Sequence, residues 1–385
     1  MNNDLFNFLI QGSLYLYFPN SYYEFIFELK EEVDESLLGQ SLIEACNKHP
    51  YFSQNVISDG ENISIEKVNI NSNLINADYE VMLNTDKPLF KIECKKQSIH
   101  FYFSHFLADG HGALTFMNCL LNSYFSHKYN VSITKPYVFD EFSFDWFDSV
   151  NYDTNNQINI CLTKQENTNI VKQDFNTSLL KLNKKDIVDL AIKLDVKPFC
   201  LLISLICIAQ HKLLNKDTIS FTYPIDARKY LNINYPGNLS ILIKDEVTIE
   251  DDCDLATLSK KINDSIVSQL NKDNVLKLLE KDVLFFKDAI NSKLSKKLKS
   301  NFILSNFDKT YHCDFGFSYI GSFFSKSEIN DYINNFYVYV YSAVNSDTVI
   351  EETTFNDELT FSIGSSNDSK QIKEEIQNVV NKYIK

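Results

Sequence analysis

Stretches of period-two hydrophobic alternation and stretches of helical periodicity take turns along this whole chain, and that ordering restricts its fold more than any other feature. Tyr23, Phe25, Phe27 and Leu29 alternate with other residues and predict a strand. Residues 35–48 carry Leu38, Leu42, Ala45 and Cys46 at helical spacing and stop ahead of Pro50, which predicts a helix. Short strands are expected over 52–68 around an Asp59-Gly60 turn, a paired set over 89–94 and 99–103, and a helix over 112–126. The second half predicts helices over 184–194 and 197–214, strands over 218–223 and 241–249, and helices over 254–270 and 274–287. Strands follow over 313–320, 336–341, 348–353 and 358–363, and an amphipathic helix over 368–384 closes the chain. Strands alternating with helices, without a tandem repeat of short period, imply an α/β or α+β class with mixed sheets.

Between these halves, 148–177 loses periodicity and is rich in Asn, Gln, Thr and Asp, so a crossover is expected there. It separates an expected N-terminal lobe, 1–147, from an expected C-terminal lobe, 178–385. A chain of 385 residues suits two lobes, and its 30 Phe and 21 Tyr can fill a core in each.

The formal net charge of −14, with no basic stripe interleaved with aromatics, argues against nucleic acid and against anionic membranes as partners. The eight cysteines form no CxxC pair and no zinc-ligand spacing, so free thiols in a reducing compartment are expected, with no metal. The start of the chain lacks the pattern of a signal peptide, and the longest apolar run, 199–210, is too short to span a bilayer. A cytoplasmic protein is expected. There is no HExxH, no GxSxG and no P-loop. Arg228 is the only arginine among 37 basic residues, which makes its position worth following.

One segment concentrates chemistry: Phe101-Tyr-Phe-Ser104-His105-Phe-Leu-Ala-Asp109-Gly110-His-Gly-Ala-Leu-Thr-Phe. A predicted strand ends at His105, a short turn contains Asp109 and Gly110, and a predicted helix follows. A histidine at a strand end can face a cleft, Asp109 can turn back to fix the loop, and Gly110 lets the backbone approach a ligand closely. Roughly 0.02 such matches are expected by chance from the composition. The local pattern alone fits a functional histidine and a structural, turn-capping histidine equally well.

The segment resembles the H-x-x-x-D-G signature of the chloramphenicol-acetyltransferase-like superfamily, and looks most like its alcohol-acetyltransferase and condensation-domain branch. Ser104 stands where many members have a first histidine. Three further stretches resemble the family in order: Leu42 to Phe52 with its His-Pro exit, Tyr223-Pro-Ile-Asp226-Ala-Arg228 followed by Gly237-Asn238, and Phe317-Ser318-Tyr319-Ile-Gly321, where Ser318 replaces an asparagine. The resemblance implies two lobes, each a mixed sheet flanked by helices, with an active-site tunnel between them. It implies His105 as general base, a pairing of Asp109 with Arg228, and direct acyl transfer from a thioester to an alcohol or amine. Gly110, Ser104, Ser318, Tyr319 and Asn238 are the candidate oxyanion or substrate contacts.

Acyl-CoA is the expected co-substrate, with no permanently bound cofactor, and 296–299, rich in lysine, is a candidate contact for its phosphates. Small-molecule donor and acceptor are the expected partners, and a monomer is expected because both lobes lie on one chain. Two other readings remain open here: a condensation-type enzyme that takes acyl groups from a carrier protein, and a non-catalytic relative that only binds.

Overall fold

In a computed structural model of the chain, residues 14–15, 18, 21–58, 63–131, 139, 174–250, 253–292, 295–321 and 328–384 are described. The alternating residues near the start form β1 (Tyr22–Leu29), whose inner face presents Tyr23, Phe25 and Phe27. Helix α1 (Glu35–Lys48) begins at Asp34, whose side chain accepts the Leu37 N–H, and ends before Pro50. A hairpin of β2 (Gln54–Ser58) and β3 (Ile63–Lys67) follows; the Asp59-Gly60 turn expected there lies outside the described residues. β4 (Phe90–Lys95) and β5 (Ser98–Ser104) pair antiparallel, and α2 (Gly110–Tyr129) follows the His105 turn.

The later part of the chain opens with β6 (Asn176–Asn183), a strand the sequence did not predict, since its first residues fall in the polar stretch expected as the crossover. The rest of that crossover, 148–173, lies outside the described residues. Next come α3 (Lys184–Lys193), α4 (Pro198–Leu214), β7 (Thr218–Asp226), the short α5 (Arg228–Leu231), β8 (Ser240–Thr248), α6 (Leu255–Gln269), α7 (Lys272–Asn291) and α8 (Lys296–Tyr311). Helix α8 was also missed: its run of lysines and mixed polar residues has no clear apolar stripe. The chain ends with β9 (Phe315–Gly321), β10 (Ile333–Val340), β11 (Thr348–Phe355), β12 (Glu358–Ser365) and α9 (Ser369–Tyr383).

Two main sheets result. The first has the order β10-β1-β5-β4, and the second β6-β12-β11-β9-β7-β8. The second is mixed, with β9 parallel to both β7 and β11. The first departs from the expected mixed sheet and is antiparallel throughout. The physical reason is local: β4 and β5 are joined by a two-residue turn in which Lys96 has φ 54°, and so short a link can join only antiparallel neighbours. The stretch 178–385, expected as the C-terminal lobe, lends β10 to this first sheet. There Phe336 stacks on Phe25 with ring centroids 5.7 Å apart and lies 4.7 Å from the Phe27 ring.

Helices α1 and α2 cover the first sheet with an aromatic core that includes Phe52, Phe103 and Phe116. The outer face of the second sheet is covered by α4, α6 and α9. Cys200 to Gln210 of α4 are all buried, which accounts for the absence of a polar stripe there. The inner face carries small residues, among them Gly316, Ser318, Ser362 and Gly364. A Cβ at Gly364 would stand 2.6 Å from the Val340 carbonyl oxygen, so glycine is what lets β10 approach the second sheet. No helix among the described residues is long and apolar enough to cross a membrane. Cys161 lies outside the described residues; the other seven cysteines are free.

Candidate functional site

His105 follows β5 directly. Its N–H donates to the Ser21 carbonyl at 3.0 Å, which carries the β1–β5 pairing one residue beyond the strand and sets the direction in which the turn leaves. The next five carbonyls are all taken. Asn238 Nδ2 donates to the carbonyls of His105 at 2.8 Å and Phe106 at 3.2 Å. Tyr51 Oη donates to Leu107 at 2.5 Å, and Tyr23 Oη to Ala108 at 2.9 Å and Asp109 at 3.1 Å. A loop whose carbonyls are each held by a side chain from another element has one geometry, not several.

Asp109 caps α2: its Oδ1 accepts the Gly112 N–H at 3.0 Å. The same carboxylate accepts Arg228 Nη2 on Oδ1 and Nη1 on Oδ2, each at 2.9 Å, and the Leu239 N–H on Oδ2 at 2.8 Å. Arg228 is 3% exposed. Its remaining N–H groups donate to the Tyr235 carbonyl at 2.7 Å, to Asp226 Oδ1 at 3.1 Å and to the Gly237 carbonyl. All five guanidinium donors are therefore used, the maximum this side chain can offer. Burial alone would raise the Asp109 carboxyl, but the charge and hydrogen bonds of Arg228, with the Gly112 and Leu239 N–H groups, hold it below the usual carboxylate value.

Gly112, one turn into the motif, meets the loop after α5 without any side chain between. A Cβ there would lie 1.9 Å from the Pro236 carbonyl oxygen. Asp109, Gly112, Arg228 and Asn238 thus fasten the motif turn to the loop that precedes β8.

The His105 ring borders a cavity of about 770 Å³ between the inner faces of the two sheets, closed on another side by Phe285, Phe302 and Phe307 of α7 and α8. Tyr15 stacks on the imidazole with ring centroids 4.5 Å apart and an 8° interplanar angle, and Tyr23 tilts against it at 4.5 Å. Nδ1 is buried and accepts or donates no hydrogen bond among the described residues. Burial lowers the imidazole pKa from 6.5 to about 4, against the opposing charge of Asp109, so the ring is neutral across the neutral pH range.

The other candidates divide. Gly110 lines the cavity at the first turn of α2, where helix N–H groups and the positive end of the helix dipole face outward. Ser318 also lines it, with its hydroxyl engaged by Glu351. Ser104 does not line the cavity; it is buried, and its Oγ accepts the Phe106 N–H at 3.2 Å, which braces the turn from within. Tyr319 also lies on the cavity wall, and its ring packs edge-on to Phe199 with centroids 5.7 Å apart. Asn238 lines the cavity, but its amide N–H groups hold the turn, which makes it a positioning residue. His111 begins α2 beside the site, with Nδ1 3.3 Å from Asp226 Oδ2. Of the lysine-rich 296–299, the Lys296 side chain lies outside the described residues, while Lys297 and Lys299 do not line the cavity; Lys281 and Lys309 do.

Sequence reasoning missed Tyr15, Tyr23 and Tyr51 as partners of the motif. Tyr51 alone carried a signal, because it sits in the His-Pro exit of α1 that matched the resemblance.

No family model matches this chain, and no curated protein sequence matches it. Solved structures do. Polyketide synthase associated protein 5 from Mycobacterium tuberculosis aligns with a TM-score of 0.64 at 14% identity, over 96% of this chain and 96% of that one. The first condensation domain of the CDA synthetase aligns with a TM-score of 0.66 at 9% identity, over 97% and 94%. Trichothecene 15-O-acetyltransferase from Fusarium sporotrichioides aligns with a TM-score of 0.62 at 11% identity, over 98% and 93%. The chain therefore shares the two-lobed fold of these solved structures, sheets flanked by helices.

Proposed function

We propose that this chain is an acyltransferase that moves an acyl group from a thioester to a nucleophilic acceptor, with His105 as general base. The observation that carries this reading is the His105 ring itself: a neutral imidazole on the wall of a large cavity between the sheets, at the end of a turn with every carbonyl restrained. A base is useful only if it is unprotonated and held in place, and burial supplies the first condition while the Asn238, Tyr51 and Tyr23 bonds supply the second.

In the proposed step, His105 removes a proton from the acceptor as the acceptor attacks the thioester carbonyl carbon. The tetrahedral intermediate collapses, the C–S bond breaks, and the imidazolium returns the proton to the departing thiolate. Asp109 takes no proton in this scheme. Four donors hold its carboxylate, and it serves to keep the turn and the start of α2 in place. The Gly110 N–H, at the N-terminus of α2, is the backbone donor best placed by its position for the oxyanion. A soluble acyl-CoA is the proposed donor, and Lys281 and Lys309 on the cavity wall are the cations available to its phosphates. The two-lobed fold, shared with acetyltransferases and condensation domains, supports the reaction class.

The test is acyl transfer from acetyl-CoA to a panel of short alcohols and amines, followed by thiol release, with His105→Ala alongside. Acceptor-dependent release that falls by at least 100-fold in the variant is expected. Equal release from both proteins would exclude His105 as the base. Release only when the acyl group is presented on a carrier protein would replace coenzyme A as the donor and leave the role of His105 intact.

A further inference from the structure

The inner face of the second sheet holds a carboxyl that the proposed step does not use. Glu351, on β11, is 7% exposed and lines the same cavity as His105. Its neighbours directly across on that face are small hydroxyls: Ser318 on β9 and Ser362 on β12. Ser318 bonds to it, and Ser362 Oγ is buried with no hydrogen-bond partner among the described residues.

Other buried carboxyls nearby are accompanied. Asp109 has Arg228. Glu352, the next residue on β11, accepts from the Gly321 N–H at 3.0 Å and Thr354 Oγ1 at 2.5 Å, and Lys184 acts on it. Asp282 on the cavity wall has Lys281 beside it and accepts from Tyr311 Oη at 3.4 Å. For Glu351, no lysine or arginine among the described residues pairs with it. A buried acid facing hydroxyls alone is costly in its charged form, and a glutamine would satisfy the same hydroxyls without that cost. What an acid offers in this place, and an amide does not, is a counter-charge for a cation that arrives with a ligand. Tyr15, stacked on His105, lies in the field of both Asp109 and Glu351, so the carboxyl and the imidazole serve one compartment.

Resting on the acyl-transfer reading, we infer that the acceptor is an aliphatic amine that enters as its ammonium ion and is held by the Glu351 carboxylate. The ammonium gives one proton to Glu351, and the freed nitrogen lone pair bonds to the thioester carbonyl carbon. His105 takes the second N–H proton and returns it to the thiolate as the C–S bond breaks. Glu351 then releases its proton to water, so the products are an amide, a thiol and one proton.

The experiment compares hexylamine with hexanol. Calorimetry measures binding of each to the wild type, Glu351→Gln and Glu351→Asp, and thiol release from acetyl-CoA gives kcat/KM for each acceptor. Thermal melting of each variant checks that it folds. The expected result is tighter binding of hexylamine than of hexanol by the wild type. Hexylamine affinity, and the amine-to-alcohol ratio of kcat/KM, should fall at least tenfold in Glu351→Gln and less in Glu351→Asp, which keeps the charge. An amine affinity that is the same in wild type and Glu351→Gln, or a wild type that favours hexanol, overturns the inference. Glu351-dependent amine binding without transfer to either acceptor, from acetyl-CoA or from an acyl group presented on a carrier protein, would sink the acyltransferase reading while the amine site stands. Transfer with no dependence on Glu351 would do the reverse.

Discussion

Arg228 and Asp109 face each other as two parallel hydrogen bonds of 2.9 Å, Nη2 to Oδ1 and Nη1 to Oδ2, in a place almost closed to water. They lie 119 residues apart in the chain, and the bond joins the turn after β5 to the start of α5. A lysine cannot reproduce this grip, because it offers one nitrogen where guanidinium offers a planar fork.

The first prediction concerns that pair. Asp109→Asn removes the buried counter-charge of the guanidinium, leaving only the partly exposed Asp226, and is expected to cost about 3 kcal/mol in urea unfolding. Arg228→Lys keeps the charge, loses at least two of the five donor bonds, and is expected to cost about 2 kcal/mol or more. A lysine variant as stable as the wild type would show that the bidentate geometry contributes nothing. The sign with pH also follows. The native Asp109 carboxyl is held below its unfolded value, so its contribution is fully present above the ordinary carboxylate pKa and is lost as pH falls through the lowered native one.

A second prediction is the pH profile of the reaction. An unperturbed histidine base would lose activity as pH fell through about 6.5. Burial lowers the His105 pKa to about 4, so kcat/KM for an uncharged acceptor such as hexanol, which makes no use of the Glu351 carboxylate, should stay flat from neutral pH through 6.5 and decline only on approach to 4. Stability moves in the same direction: between these values the unfolded histidine binds a proton that the native one refuses, so falling pH weakens the fold. An acid limb centred near 6.5 would mean that water reaches the imidazole far more freely than the packing of Tyr15 and Tyr23 suggests.

The third prediction sets two glycines of one helix against each other. Alanine is the better helix former by about 1 kcal/mol, which favours Gly112→Ala. Against it stands a Cβ 1.9 Å from the Pro236 carbonyl oxygen, a clash with backbone that no side-chain rotation relieves. Overpacking costs about 1–3 kcal/mol or more and should win, lowering the melting temperature. Gly110→Ala meets only the tip of Ile320 at 3.3 Å, so its melting temperature should stay near that of the wild type. Equal melting of the two variants would show that the contact with Pro236 yields easily.

Much of the local structure was legible in the sequence. Helix α1 spans the residues its apolar spacing and Pro50 indicated, and β4 and β5 pair as expected. The segment from His105 to Gly110 stood out as a strand end, turn and helix start, and the solitary arginine drew attention to 228. Elements without a clear period were not legible: β6 merges with polar sequence, and α8 spreads its apolar residues around the helix.

Local pattern determined which segments became strands and helices, because hydrophobic period and capping act over a few residues and are written in order along the chain. It also marked His105, Asp109, Gly110 and Arg228 as residues to follow. Only the tertiary structure decided what stands beside them. Tyr51 reaches Leu107 across 56 residues, Asn238 reaches His105 across 133, and β10 crosses to the first sheet beside β1. Ser104 fits the motif yet turns away from the cavity, while Glu351, in no motif, faces it. Which way a side chain points depends on strand register and sheet packing, and these are set by contacts between distant segments that no local window contains.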